Sequence, residues 1–429
     1  MYIVLCSSIR SLIFTILTPP GRRYNRFFDQ IACLLISFIT AITTVYLWPK
    51  IASADGFNLI PSIALREEFN DNIFFSVEDE VDDLITTISA GLDIVEKSER
   101  VDTYLKGRLD KNIYEDNGDL DAVDQYYLGR LDYNLTERLS AIADGGYIRD
   151  SRPDRDVAET GLVQTAEPRK YQYFSLGGDY LTSENTSNAL TYQYQRSDYE
   201  DREFTDSRIH TLNFTHTWNA RRYFKETIGR ADLGYVNADF KTSKAESVSG
   251  TIGASWNYSE ALSILFDLGV RYTSTDFITV GVLPSNQIVE TEDTTRDWSG
   301  LGRATIKYEG EYTTGSFVFL HDIREARGRG GTVVRTGLTG FYGRHLSEKI
   351  EIILSASYYR NKSDQGTVAL VDLDERTLLI RPSLRYNITH DIFLEGSYSF
   401  TRIRDDIAKT TATQNIILGQ VYWQWPLFE

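Results

Sequence analysis

Cysteine and histidine are scarce in this sequence. Of 429 residues, two are cysteines and five are histidines, and both cysteines, Cys6 and Cys33, precede residue 55. The rest of the chain therefore has no thiol for a disulfide or a thiolate metal site. The histidines do not cluster, and no G-x-S-x-G elbow is present, so the spacing indicates neither a histidine metal site nor a Ser–His pair. We predict no metal, no cofactor and no enzymatic activity.

Basic residues are in deficit. The first 54 residues carry five of the 45 Lys and Arg residues and one of the 61 Asp and Glu residues. The remainder therefore has 40 basic residues against 60 acidic ones, a net charge of −20. Nucleic-acid phosphates require a basic surface, so we predict that nucleic acid is not a partner.

Long apolar runs are lacking, with one exception near the N-terminus. Arg22, Arg23 and Arg26 precede an uncharged apolar run at 31–48, and small residues follow at 52–54. This arrangement is typical of a secretory signal peptide, and we predict residues 1–54 to be a leader cleaved after Ala54. A retained membrane-anchor helix is the alternative. No later run approaches the 18 residues of a transmembrane helix.

What the sequence has instead is a strict alternation of apolar and polar residues. It is clearest at 248–277, where a polar break at 259–261 separates two alternating segments and indicates a β-hairpin. Each segment has about twice the usual strand length of 5–6 residues, which is the length that crosses a bilayer at a tilt. We predict that Ile252, Ala254, Ile264, Phe266 and Leu268 face lipid, and that Thr251, Gly253, Asp267 and Arg271 face the interior.

The same alternation recurs from Phe57 to the C-terminus and gives about 18 strands, in a range of 16–18. The predicted strands are 58–68, 84–95, 101–113, 125–135, 138–149, 171–183, 187–198, 207–219, 222–239, 244–258, 262–275, 295–308, 314–326, 332–345, 349–361, 376–388, 391–404 and 412–425. The predicted fold is therefore all-β, a transmembrane antiparallel up-and-down β-barrel of residues 55–429. A soluble β-sandwich or a β-solenoid is the alternative.

The predicted connections alternate in length. Those at 136–137 and 259–261 are short, whereas those at 69–83, 150–170 and 276–294 are long and polar. Short periplasmic turns and long extracellular loops are typical of outer-membrane barrels, and an even strand count leaves both termini in the periplasm. An aromatic residue precedes most short turns, as in the aromatic girdle of a membrane interface. The predicted girdle residues are Tyr133, Tyr180, Trp218, Trp256, Tyr308 and Tyr386.

The polar face would line the lumen. It carries charges of both signs among Ser, Thr, Gly and Asn, which is typical of a water-filled interior unless loops or a plug fill it. These charges either form structural ladders along the wall or meet a passing solute. Phe393 and Tyr359 are predicted to face the lumen, where a sugar ring could stack on them. The lumen-lining candidates are Arg66, Asp93, Lys106, Arg108, Arg130, Asp267, Arg271, Arg303, Lys307, Arg381, Arg385 and Glu395.

The segment 60–75, IPSIALREEFNDNIFF, resembles the first strand of an outer-membrane β-barrel porin family often called β-barrel porin 2. That strand follows the pattern P-x-x-x-x-x-E-x-[YF]-[DN]-[DS]-N-[IV]. The matching residues are Pro61, Glu67, Phe69, Asn70, Asp71, Asn72 and Ile73. The turns at 133–137 and 386–390 also look like turns of that family. The resemblance implies an outer-membrane barrel associated with exopolysaccharide production and export.

The sequence thus predicts a barrel in the outer membrane of a Gram-negative cell, with outer-membrane lipid around it. The preferred function is a hydrophilic conduit for export of a secreted polysaccharide, with periplasmic export machinery as a partner. The alternative is a general or solute-specific diffusion porin, or a structural barrel with a closed lumen.

Overall fold

The computed structural model describes residues 56–162, 167–200, 205–221, 225–240, 243–282, 288–325, 332–363 and 373–427. The predicted leader, residues 1–54, lies outside these ranges. Within them the chain is almost entirely β-structure, and each strand has the alternating apolar and polar pattern that favours a sheet with two different faces.

Eighteen strands form within the described ranges. They are β1 (Phe57–Asn70), β2 (Asp83–Lys97), β3 (Val101–Tyr114), β4 (Ala122–Asn134), β5 (Leu139–Asp150), β6 (Arg169–Ser183), β7 (Thr186–Tyr199), β8 (Ser207–Asn219), β9 (Thr227–Phe240), β10 (Ser243–Asn257), β11 (Leu262–Val282), β12 (Ile288–Glu309), β13 (Thr313–Glu325), β14 (Thr332–His345), β15 (Ile350–Ser363), β16 (Asp374–Asn387), β17 (Ile392–Asp405) and β18 (Thr410–Gln424). A 3₁₀ turn at Gly118–Leu120 and a short helix, α1, at Val157–Thr160 lie in two of the connections.

The strands close into a barrel. Every strand pairs antiparallel with its neighbour in sequence, and β1 pairs with both β2 and β18. The closing seam runs from Ser62 opposite Gln424 to Asn70 opposite Ile416. Closure satisfies the backbone groups that an open sheet would leave at its two edges. The predicted fold class, an antiparallel up-and-down barrel of 18 strands, is confirmed.

The two hairpin strands β10 and β11 show how the sequence sets the two faces. Ile252 lies opposite Leu268, and Ala254 lies opposite Phe266. The exposed fraction is 64% for Ile252 and 50% for Phe266, but only 6% for the neighbouring Asp267. Because successive strand residues point to opposite sides, the apolar set lies on the outside and the polar set inside.

Two predicted connections were wrong in extent, and one of them precedes the strand predicted at 222–239, which begins only at Thr227. The segment 276–294 was expected to be a loop, but β11 continues to Val282 and β12 begins at Ile288. The segment contains Ile278, Val280 and Val289, and such β-branched residues favour extended backbone. The polar residues between them caused the prediction of a loop.

The two ends of the barrel differ. One end carries short connections, such as 98–100 and 310–312, and we call it the turn end. The other, the loop end, carries the longer connections, such as 71–82 and 151–168. The buried apolar clusters inside the barrel involve residues of the long connections and of strand segments next to them. No helix in the described part of the chain is long and apolar enough to cross a membrane.

Candidate functional site: the lumen and its inner loop

The β5–β6 connection, residues 151–168, folds into the barrel, and we call it the inner loop. Helix α1 within it buries Val157 in an apolar cluster. The other members of this cluster are Phe75 of the β1–β2 connection, Leu379 of β16, Ile403 of β17 and Ala412 of β18. Because β5 and β6 lie five to eight strands away from these strands around the closed 18-stranded sheet, the inner loop crosses the lumen.

Helix α1 is held at its carboxyl end by the opposite wall. The last carbonyl groups of a helix have no partner inside the helix and need donors from elsewhere. Here four consecutive carbonyl oxygens accept hydrogen bonds from side chains of β14, β15 and β16. The pairs are Tyr359 Oη to Ala158 (2.9 Å), Arg335 Nη1 to Glu159 (3.0 Å), Asn361 Nδ2 to Thr160 (2.8 Å) and Thr377 Oγ1 to Gly161 (2.5 Å). Asn361 and Thr377 are fully buried, so water does not replace a lost bond there.

Gly161 ends the helix. Its φ of 71° is the left-handed conformation that favours glycine at this position, and its N–H donates to the Val157 carbonyl oxygen at 2.9 Å. A Cβ atom on Gly161 would lie 2.6 Å from Cβ of Tyr359. Both the backbone conformation and the close approach to the wall therefore require glycine.

Ion pairs fix the inner loop where it leaves the wall. Arg169 of β6 donates through Nε and Nη2 to the two carboxylate oxygens of Asp150 of β5, at 3.1 and 2.7 Å. Its Nη1 donates to Asp156 of the loop at 2.7 Å. All three residues are buried. A bidentate Arg–carboxylate pair has a fixed geometry, so this cluster sets the direction in which the loop enters the lumen.

Arg152 of the inner loop makes a second set of ion pairs. It donates to the two carboxylate oxygens of Asp154, at 2.9 Å each, and to those of the buried Glu68 on β1. Burial alone would raise the pKa of Asp154, but the Arg152 guanidinium stabilises its charged form, and the pKa lies below its ordinary value. The loop is therefore attached to β1 by charges that are paired at neutral pH.

The β1–β2 connection also folds inward, around Asn72. The Asn72 side chain accepts from the Ser76 N–H at 2.8 Å and donates to the carbonyl oxygens of Ser76 and Thr413, at 2.8 and 3.0 Å. Gln414 Nε2 donates to the Asn72 carbonyl oxygen at 2.8 Å. Asn72 belongs to the motif at 60–75 that carries the family resemblance, and its role here is to fix the first connection against β18.

The space left beside the inner loop forms two cavities along the wall of β7 to β15. The first, about 200 Å³, lies between α1 and the wall, and the second, about 420 Å³, lies along β7–β13. Arg271 lines both. The lining of the first cavity includes apolar side chains, such as Ile209 and Val236, and the guanidinium groups of Arg271 and Arg335.

The second cavity is lined by paired charges. Asp232 accepts from Arg230 at 2.9 Å and from Thr215 and Thr251 at 2.6 and 3.0 Å. Arg230 also lies 3.3 Å from Asp267. Within the described residues, no group of three or more His, Cys, Asp or Glu side chains is arranged to hold a metal ion.

The structure places the twelve lumen-lining candidates on the inward register of their strands. Most of them are paired along the wall, which is the ladder arrangement. The pairs are Asp93–Lys106 (3.5 Å), Arg108–Asp110 (3.1 Å), Arg130–Asp132 (2.7 Å), Asp267–Arg230 (3.3 Å), Lys307–Glu309 (2.6 Å) and Arg385–Glu395 (2.8 Å). Arg66 donates to Thr87 at 3.1 Å, and Arg271 donates to the Ile323 carbonyl oxygen at 2.6 Å. Arg303 and Arg381 have no ion pair within 4 Å among the described residues. That any of these side chains meets a solute stays a prediction.

The two lumen-facing aromatics are already engaged. The ring of Phe393 stacks on Tyr422 at a centroid distance of 4.8 Å, and the Arg385 guanidinium lies 4.6 Å from the same ring. Tyr359 is 5% exposed and bound to α1. Tyr359 is therefore unavailable to a sugar, and a sugar on Phe393 would compete with Tyr422 and Arg385 for the ring.

The six predicted girdle aromatics lie on the outward face near the turn end. Five are exposed, and Trp218 is half-buried beside His216, with ring centroids 5.8 Å apart. Their contact with a membrane interface stays a prediction.

Sequence reasoning missed the residues that hold the inner loop. Glu68, Asn361 and Thr377 are single polar residues in alternating strands, and nothing in a strand pattern distinguishes them from other inward positions. The one available signal was the charge density at 152–156, Arg-Pro-Asp-Arg-Asp. Such a run is usually solvated, but here its members pair with the barrel wall.

No protein-family profile matches the chain, and comparison with curated proteins gives no significant match. Solved structures of outer-membrane β-barrel porins are similar in fold. OccAB3 of Acinetobacter baumannii has 10% sequence identity and a TM-score of 0.43, over 86% of this chain and 99% of that one. OccK2 (OpdF) of Pseudomonas aeruginosa has 10% identity and a TM-score of 0.44, over 87% and 99%.

These similarities are too low to transfer a substrate or a family to this chain. The fold therefore rests on the strand pairing itself, and the function must be argued from the lumen.

Proposed function

We propose that this chain is an outer-membrane porin that passes small water-soluble solutes by diffusion through a lumen narrowed by the inner loop. The observation that carries the proposal is the space of about 200 Å³ left between α1 and the wall. This space is small beside the roughly 300–1,000 Å³ of a pocket that holds a drug-sized ligand. It suits a small solute better than a bulky one.

The membrane location is supported by the outward face. Leu65, Leu176, Leu233, Phe266 and Ile417 are all exposed there although they are large and apolar. Water-exposed apolar surface on this scale is unfavourable for a soluble monomer, whereas lipid chains would cover it. A closed barrel is also one of the two structures that satisfy every backbone group within a bilayer.

The orientation follows from the same proposal. Phe57 and Gln424, the ends of the first and last strands, both lie at the turn end. We place this end in the periplasm and the loop end outside, as in other outer-membrane barrels. Residues 1–54 are proposed to be the signal peptide that directs export.

Polysaccharide export, the preferred function at the level of sequence, receives less support. A polymer would need a wide continuous path, but buried hydrogen bonds and ion pairs fix the inner loop across the lumen. The two aromatics suited to sugar stacking already have partners against their rings. Diffusion of small solutes is therefore the better supported of the two functions.

Reconstitution in planar lipid bilayers tests the proposal. We expect discrete single-channel currents and uptake of small solutes such as monosaccharides into proteoliposomes, with exclusion of long oligosaccharides. A barrel that inserts but conducts no current and admits no solute would show that the lumen is closed. Passage of long oligosaccharides at rates like those of monosaccharides would restore the polysaccharide function.

A further inference from the structure

A row of basic side chains crosses three strands on the outward face of the barrel, near the loop end. Arg360 of β15 lies directly opposite Arg376 of β16, which lies directly opposite Arg404 of β17. Lys362 and Arg402 are on the same face, two residues from Arg360 and Arg404. We call these five residues the basic row. Like charges directly opposite one another destabilise antiparallel strands, so this arrangement needs a compensating anion.

The barrel supplies part of the compensation. Asp374 lies 2.9 Å from Arg360, and Asp406 lies 2.6 Å from Arg376 and 3.0 Å from Arg404. These two carboxylates bridge the arginines from the loop side. Among the described side chains of this surface, two acids against five basic side chains leave an excess of three positive charges.

The rest of the row is accessible, although Lys362 lies opposite Asp374, the carboxylate that Arg360 binds. Lys362 and Arg402 are exposed and have no ion pair within 4 Å among the described residues. A further acid nearby, Asp405, is engaged elsewhere, because it accepts from the backbone N–H groups of Ile407 and Ala408. The paired arginines also keep 42–56% of their side-chain surface exposed.

The height of the row matches a membrane surface. On β16, Arg376 lies ten residues from the girdle aromatic Tyr386, on the same face. At about 3.3 Å per residue this is roughly 33 Å along the strand. A strand tilt of 35–45° reduces it to about 25 Å, the height of the apolar band of an outer-membrane barrel. If Tyr386 marks one surface of the bilayer, Arg376 lies at the other.

Another pair of outward arginines near the loop end has an acid beside each member. Arg196 of β7 lies opposite Arg208 of β8, but Asp198 is 2.8 Å from Arg196, and Asp239 lies opposite Arg208. This pair of arginines therefore provides a control on the same outward face, with one acid beside each arginine.

We propose that the basic row binds the phosphate groups of a phosphorylated lipid in the outer leaflet of the membrane. Arginine forks donate two parallel hydrogen bonds to a phosphate, and clusters of basic side chains at a membrane surface attract anionic headgroups. A phosphorylated headgroup beside the row neutralises its excess charge. The inference rests on the proposed outer-membrane location, with the loop end outside.

The test is lipid retention by the purified full barrel in neutral detergent. The probes are bis-phosphorylated lipid A, the same lipid without its phosphates, and inorganic phosphate alone, with bound lipid counted by native mass spectrometry. The variant is the triple substitution Arg360→Gln, Arg376→Gln and Arg404→Gln. Its control is Arg196→Gln with Arg208→Gln.

We expect the wild type and the control to retain the phosphorylated lipid and to release the dephosphorylated one. Each basic contact at a membrane surface contributes about a factor of five in affinity, so the triple variant should bind roughly 100-fold more weakly. Should that variant not fold, Arg402→Gln, which breaks no ion pair within the described residues, should weaken binding about fivefold. Heat-modifiable migration in gels reports folding separately.

Equal retention by the wild type and the variants would overturn the proposal, as would equal retention of the lipid with and without phosphate. Displacement of the lipid by millimolar inorganic phosphate would show an anion site with no preference for lipid. A barrel that fails to insert into vesicles would instead refute the membrane location, so the two failures are distinguishable.

Discussion

The docking of the inner loop can be weakened without altering the shape of the wall. Tyr359→Phe and Thr377→Val each remove one hydroxyl donor to α1 and preserve side-chain volume. The double variant leaves the Ala158 and Gly161 carbonyl oxygens without their partners. An unsatisfied buried polar group costs about 1–3 kcal/mol, so docking of the loop should weaken by about 2–6 kcal/mol.

This change is large enough to measure as a population. At about 1.4 kcal/mol per tenfold, the undocked fraction should rise roughly 30-fold to 10⁴-fold. Arg155, whose side chain is 5% exposed, becomes accessible to trypsin when the loop undocks. Because the cleavage rate follows the open population when opening is fast, we expect cleavage in the inner loop to accelerate at least 30-fold. Single-channel records should show longer or more frequent states of higher conductance.

The control is Ser187→Ala. Ser187 Oγ shares a hydrogen bond with Thr217 at 2.7 Å between β7 and β8, away from the inner loop. The Ser187→Ala substitution also removes a hydroxyl from the wall, but it should change neither the rate of trypsin cleavage nor the conductance. If the double variant is cleaved no faster than this control, the inner loop is not held by the bonds to α1, and the account of the constriction is wrong.

Three further predictions follow from the same contacts. Gly161→Ala should undock the inner loop as severely as the double variant does, because the new Cβ atom meets the Tyr359 side chain. Trypsin resistance equal to that of the wild type would contradict this. The pKa of Asp154 is depressed, so its contribution to docking is present at neutral pH and lost as the pH falls below about 4. The current noise of the wild-type channel should therefore rise only in that acid range, whereas Asp154→Asn should be noisy at pH 7. Wild-type noise that does not change with pH would refute the pairing. Phe266→Arg should lower the yield of folding into lipid vesicles, at about 2–4 kcal/mol for a charge near the midplane. The adjacent inward Leu265→Arg should fold, and equal yields would show that the assigned faces are wrong.

The structure also decides which inward residue should be replaced in the control for Phe266→Arg. Asp267 was the natural inward site for a new charge on sequence grounds. The structure shows it 3.3 Å from Arg230 and directly opposite Arg303. An arginine there would remove one ion pair and face two like charges, so Leu265 gives a cleaner control.

The sequence by itself determined the wall of the barrel. Period-two alternation is a local property, because each residue's face depends only on its position relative to its neighbours. It was therefore sufficient to place Phe266 and Asp267 on opposite faces and to count 18 strands. Strand ends were less certain where β-branched and polar residues mix, as at 276–294, since a hairpin extends as far as its two strands can pair.

Only the tertiary structure decided what fills the lumen. The inner loop meets β14–β16 from about half a circumference away, and the bond from Thr377 to Gly161 joins residues 216 positions apart. No local pattern encodes such a contact, because each partner is an ordinary polar residue until the barrel closes and brings the two together. The basic row arises in the same way: Arg360, Arg376 and Arg404 are scattered in sequence, and the registers of β15–β16 and β16–β17 align them on one face.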